Sequence, residues 1–172
     1  MSRKELLIGC GNSREKRIFA AGEQQWGGLV TLDFYPECRP DVVHDLNVLP
    51  YPFADAEFDE IHAYEVLEHC GRQGDWRFFF DQWTEFWRIV KPGGYFCGTC
   101  PHRTSPWAWG DPSHTRIVGL EQLVFLSQKE YERQVGTMAM SDFRHYYKAD
   151  WQLVWEQLDA DLTQRFVLRA VK

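Results

Sequence analysis

The 172-residue chain lacks any apolar run approaching the ~20 residues that would span a bilayer. Its first residues, Met1-Ser2-Arg3-Lys4-Glu5, leave no room for the apolar core of a secretory signal. A cytoplasmic location is expected, with no membrane partner. An even, framework-spaced set of cysteines is also missing. The five present are read as free thiols of a reducing compartment. Repeats, low-complexity tracts and Pro/Gly/Ser linkers are absent, so one domain over residues 1–172 is expected, large enough to bury a core without staples. Positive charge is short too. The net charge of -6 argues against a sequence-independent grip on phosphates, which makes nucleic acid an unlikely partner.

What the chain has instead is an alternation of strand-like and helix-like segments. Glu5-Leu6-Leu7-Ile8 and Gly28 to Asp33 are short apolar runs ended by Gly9 and Pro36. Between them, Ser13 to Gln25 carries helix formers behind a capping Asn12 or Ser13 and predicts a helix. Asp41 to His44 and Phe58 to Tyr64 read as further strands. Trp76, Phe79, Phe80, Trp83, Trp87 and Val90 recur at three- and four-residue steps, the core face of a helix that Lys91-Pro92-Gly93-Gly94 stops. Much of the aromatic content, 16% with eight tryptophans, is thereby placed in the core. Tyr95 to Cys100 is a fifth strand, and Pro101 to about Ile117 has no regular pattern. A helix from about Gly119 is expected to break at Ser127-Gln128-Lys129-Glu130, which has capping-box spacing. Trp151 to Leu158 and Gln164 to Lys172 complete the chain as an antiparallel hairpin, so the sheet is mostly parallel with an antiparallel edge.

In such a sheet, ligands bind at the carboxyl ends of the strands, where the strand order reverses. Gly9 and Gly11 remove side chains where a backbone must turn and approach a ligand, and Asp33 can accept from the hydroxyls of a ribose. A nucleoside is indicated. A dinucleotide oxidoreductase would carry a third glycine three positions after the second, where this chain has Arg14.

The ordered segments LLIGCGN, TLDFYP, HDLNVLPYPFADAEFDEIHAYEVLEH and WRIVKPGGYF resemble those of class I S-adenosylmethionine-dependent methyltransferases across residues 5 to 100. The terminal hairpin is similar to the one that ends that fold. The resemblance implies an α/β, Rossmann-like three-layer sandwich with a seven-stranded, mostly parallel sheet. It implies S-adenosyl-L-methionine as cofactor, with Gly9, Cys10 and Gly11 along its methionine moiety, Asp33 on the ribose and Phe34 beside the adenine. Asp45 and Leu46 match the positions that meet the adenine amino group and ring, and Tyr64 the main-chain carbonyl that meets the cofactor's amino group. Leu7 and Ser13 depart from the family pattern, which often has an acidic residue and a glycine there.

Methyl transfer needs positioning above all, with a general base when the acceptor must lose a proton. His69, His102, His114 and Glu65 are the candidates for that catalytic role, while Glu68 could orient or neutralise an acceptor. Arg103, Trp107, Trp109 and Asp111 are candidate acceptor-binding residues on the loop leaving the fifth strand, within a substrate-binding insertion or lid at 101–150. The acceptor is expected to be a small molecule, a sugar or a lipid precursor. The alternatives are a regulatory module that binds the cofactor without turnover and a lyase that consumes it. Base methylation is disfavoured because Tyr64-Glu65-Val66-Leu67 stands where amino-directed enzymes carry Asp or Asn, two prolines and an aromatic. No metal is expected: Cys97 and Cys100 form a lone CxxC whose members diverge within a strand. A monomer or a homodimer through the terminal edge strand is anticipated.

Overall fold

The computed structural model describes residues 3–172. Seven strands form one sheet in the order β3-β2-β1-β4-β5-β7-β6: β1 Glu5–Ile8, β2 Leu29–Asp33, β3 Val42–Val43, β4 Phe58–Tyr64, β5 Val90–Pro101, β6 Trp151–Leu158 and β7 Thr163–Ala170. β1 to β5 pair in parallel, and β7 runs antiparallel to both β5 and β6. Strand order reverses between β1 and β4, so the crevice for a ligand lies at the ends marked by Ile8 and Tyr64. Because β7 is antiparallel, with Thr163 opposite Pro101, the turn before it reaches that same end.

Side-chain alternation separates the sheet's faces. Leu6, Ile8, Ile61, Ala63, Phe96, Phe166 and Leu168 meet Phe80, Trp83, Phe86 and Ile89 of α1 (Trp76–Ile89) in the main core. Asp75 caps α1 by accepting from the Phe78 amide. Between β5 and β6 the chain forms α2 (Pro106–Gly110), α3 (Leu120–Leu123) and α4 (Gln128–Gln134). Ser127 caps α4 as its spacing predicts, with Oγ accepting from Glu130 N. Tyr131, Tyr147 and Ala149 from this region close the same core. β5 begins at Val90, so Lys91-Pro92-Gly93-Gly94 belongs to the strand as well as ending the helix.

The opposite face differs from expectation. No helix forms over Ser13 to Gln25, and a non-helical strap covers Leu7, Tyr64, Cys97 and Val167 with Ile18, Ala20 and Trp26. Tertiary polar bonds outcompete local helix propensity here. The Tyr64 hydroxyl accepts from Arg17 N and Ile18 N, amides that a helix would have used internally. Lys16 Nζ reaches Glu5 at 2.7 Å and Glu60 at 3.4 Å, both fully buried, and Trp26 Nε1 donates to Arg14 O. The strap is thus tied to charges and hydroxyls that β1 and β4 place on this face. Among the described residues, no helix is long and apolar enough to cross a membrane.

Candidate active site

The turn after β1 is built on close packing. Gly9 has φ 57°, and a Cβ there would lie 2.1 Å from Val66 Cγ2, so glycine is required both by the dihedral and by the approach of the chain after β4. Gly11 has φ 48° and faces open space. Asp33, ending β2, joins the loops: one carboxylate oxygen accepts from Gly11 N at 2.8 Å, the other from Tyr35 N at 2.9 Å. Each oxygen keeps a lone pair for a further donor.

Gly9, Asp33, Phe34, Asp45 and Leu46 line a cleft of about 520 Å³, together with His44, Asn47, Val66, His69, Cys70 and Ser113. Phe34 is 72% exposed, an aromatic face held at the cleft rather than in the core. Asp45 shapes its rim by accepting from Asn47 N and Nδ2, and Asn47 Oδ1 accepts from Gly71 N. Cys10 is buried beneath the strap and Gly11 stands behind Asp33; neither lines the cleft. The Tyr64 ring is turned to the strap face, so only its backbone stands at the carboxyl end of β4.

A second cavity of about 380 Å³ adjoins the first, and His69 lines both. Its walls come from three places: Glu65, Glu68 and His69 after β4; Pro101 at the end of β5 with Ser105, Trp107, Asp111 and His114 after it; and Asp161 and Leu162 before β7 with Thr163 at its start. The 3-10 turn Leu67–His69 and the loop after β5 are stitched together, since Thr115 N and Arg116 N both donate to Glu68 O and Arg116 Nε donates to Leu67 O. His69 and His114 meet edge to face, with ring centroids 4.6 Å apart.

The acids on its inner wall are poorly solvated, Glu68 being 2% exposed. Burial pushes the Glu68 carboxyl up to about 7, and burial also raises that of Glu65. Burial, then the neighbouring His114, lowers the His69 imidazole. Glu65 has φ 54°, a strained conformation for a side chain of this type, fixed by its amide donating to Thr99 O at 2.9 Å. Its Oε1 has no hydrogen-bond partner among the described residues. Such strain and burial in a cleft are what a reactive site accumulates.

The candidate residues divide accordingly. Glu65, His69, His114, Trp107 and Asp111 are brought together. His102 and Arg103 are engaged elsewhere, His102 Nδ1 with Thr104 Oγ1 at 2.7 Å and Arg103 with Glu121. Trp109 is 73% exposed and donates through Nε1 to Arg103 O outside the cavity. Asp161, Leu162 and Thr163 were not legible as site residues, because nothing local marks them; the β5–β7 register brings them there. Ser113 sits in the same DPSH turn as two of the candidates, which was the available signal for it.

A family model described as a methyltransferase domain matches residues 6–98, more than half the chain, from within β1 into β5. The chain belongs to the methyltransferase-domain family. Solved structures share its fold. A S-adenosylmethionine-dependent methyltransferase from Archaeoglobus fulgidus is similar at a TM-score of 0.60 and 15% identity, covering 98% of this chain and 86% of that one. The N-methyltransferase NodS from Bradyrhizobium japonicum, solved with S-adenosyl-L-homocysteine, is similar at 0.58 and 15%, covering 99% and 79%. The YcgJ protein of Bacillus subtilis is similar at 0.58 and 15%, covering 99% and 92%. No curated protein sequence matches the chain. The family makes this chain a methyltransferase, an enzyme, and the Phe34-rimmed cleft with its glycine turn and Asp33 offers donors, acceptors and apolar surface to a ligand.

Proposed function

We propose that the methyltransferase transfers a methyl group to a small polar acceptor, of the sugar or lipid-precursor class, bound in the Glu65–His114 cavity. The observation that carries this reading is His69, which lines both cavities and so joins a nucleoside cleft to a pocket of acids and imidazoles. Asp33 would hold the ribose hydroxyls, Phe34 and Leu46 the adenine ring, and Asp45 its amino group. Gly9 would supply backbone, and Tyr64 its carbonyl, toward the methionine end. The cofactor, when bound, supplies an electrophilic methyl group on a sulfonium.

The chain's own part is positioning. Trp107, 70% exposed on α2, and Asp111 would bracket the acceptor, and residues 101–117 form the wall that supports reading 101–150 as the substrate-binding insertion. Glu65, whose Oε1 has no partner among the described residues, is the group placed to take a proton from the acceptor, in the same cavity as His69 and His114.

The test combines calorimetry with product analysis. S-adenosylhomocysteine should bind the wild type and lose affinity in Asp33→Ala. With methyl-labelled cofactor, label should appear in a small hydroxylated or aminated acceptor, and Trp107→Ala should raise the acceptor KM while cofactor affinity stays unchanged. Breakdown of the cofactor without a labelled acceptor, or binding without any product, would overturn the proposal in favour of a lyase or a regulatory module.

A further inference from the structure

We infer that Glu68, His69 and His114 form a binding site for one divalent first-row transition-metal ion at the wall of the acceptor cavity. One ligand atom from each side chain lies within 4.8 Å of the others. Metal bonds of roughly 2.0–2.2 Å in a tetrahedral arrangement separate ligand atoms by about 3.4 Å, so side-chain adjustments of about 1 Å close the triad.

The polar bonding around the three explains why they are available. Glu68 is 2% exposed, and neither of its carboxylate oxygens has a hydrogen-bond partner among the described residues. The surrounding groups are the weakly donating Cys100 thiol, the Glu65 carboxylate and the Arg116 guanidinium, whose NH2 is already given to Gln82 Oε1. A buried carboxylate without partners is costly, and a cation held between it and two imidazoles removes that cost.

Each histidine presents a ring nitrogen without a hydrogen-bond partner among the described residues, Nε2 in His69 and Nδ1 in His114. His69 Nδ1 lies 3.3 Å from the Ser113 carbonyl and 3.1 Å from Ser113 Oγ. The carbonyl can only accept, so Nδ1 carries the proton and Nε2 keeps its lone pair. Ser113 Oγ in turn donates to Asp111 Oδ1 at 2.6 Å. The His114 side chain is 8% exposed, with Nε2 3.8 Å from Asp111 Oδ2 and Nδ1 buried without a partner. Asp111 thus stands behind His69 through Ser113 Oγ and 3.8 Å from His114, the side from which a carboxylate orients imidazoles toward a metal. Two imidazoles and a carboxylate suit zinc, iron, cobalt or nickel rather than magnesium or calcium, which take oxygen ligands. The site uses neither Cys97 nor Cys100, which β5 directs to opposite faces.

Three protein ligands leave a coordination position for substrate, which favours an acceptor offering an oxygen atom. This last step rests on the reading of the cavity as the acceptor site; the metal site itself does not. Cobalt(II) added alone to chelator-treated protein should produce visible d–d bands that saturate at one ion per chain, without thiolate charge-transfer bands. Glu68→Gln and His114→Ala should each abolish them, Asp111→Asn should weaken binding by roughly 10- to 100-fold, and His145→Ala, which removes an exposed imidazole outside the cavity, should change nothing. Far-ultraviolet circular dichroism and S-adenosylhomocysteine binding check the fold of each variant. No spectrum in the wild type, a spectrum with thiolate bands, or one that survives both ligand substitutions would overturn the inference. Methyl transfer, measured in parallel, reports separately on the acceptor reading.

Discussion

Gly9→Ala should destabilise the protein through two separable causes. At φ 57° an alanine sits in the left-handed region, which costs about 1–2 kcal/mol. Its Cβ would also stand 2.1 Å from Val66 Cγ2 and 2.7 Å from Val66 Cβ, and relieving such an overlap in packed surroundings costs about 1–3 kcal/mol. The sum, about 2–5 kcal/mol, corresponds to a fall in Tm of about 5–15 °C for a domain of this size. Val66→Ala removes both methyls that the new Cβ would strike, at a cost of its own of about 1–2 kcal/mol. In the double variant the contacts with the Val66 Cγ atoms are gone and the 2.7 Å approach to its Cβ remains, so the two substitutions should couple favourably by about 1–2 kcal/mol. Urea unfolding of the four proteins of this cycle, followed by tryptophan fluorescence, measures that coupling. Additivity within about 0.5 kcal/mol would refute the reasoning and leave the glycine's role to its dihedral or to the ligand alone.

Removing the Tyr64 hydroxyl should release the strap. In Tyr64→Phe the amides of Arg17 and Ile18 and the Nδ1 of His62 lose their shared partner, at about 1–3 kcal/mol for each group left unpaired in the interior. Hydrogen exchange at residues 17 and 18 should accelerate, and unchanged exchange would sink the account of why this segment is not helical. A second expectation concerns acid. Burial alone would push the Glu60 carboxyl up, but the hydrogen bond from His62 and the charge of Lys16 outweigh it and hold the group at about 2. The unfolded value is about 4.3, so the native state binds fewer protons than the unfolded state between the two. The stabilisation is therefore complete above about pH 5 and is lost as pH falls toward about 2. Glu60→Gln should flatten the acid limb of a stability-pH curve, and equal slopes in both proteins would contradict the assignment.

The readings that held were those whose physics is local or periodic. α1 was visible because a helix repeats its buried face every three to four residues, and its stop was visible because Lys91-Pro92-Gly93-Gly94 cannot continue one. The hairpin was visible because two strand-like runs are separated by the short turn chemistry of Asp159-Ala160-Asp161. Gly9 and Asp33 could be singled out because their positions after β1 and at the end of β2 follow from the order of elements.

The strap failed because its helix formers answered to Glu5, Glu60 and Tyr64, which are distant in sequence and reach it only across the sheet face. His102 and Arg103 looked as promising as Trp107 and His114, since all four share one loop; only the fold turned two of them toward Thr104 and Glu121 and two toward the cavity. Composition, periodicity and the ordered motifs by themselves determined the strand sequence and the family resemblance, and pointed to the end of the sheet where the glycine turn and Asp33 stand. The tertiary structure alone decided which acids and imidazoles meet, because Glu68, His114 and Asp161 come from three segments whose approach is set by strand register and by carbonyls such as Glu68 O, not by any neighbour along the chain.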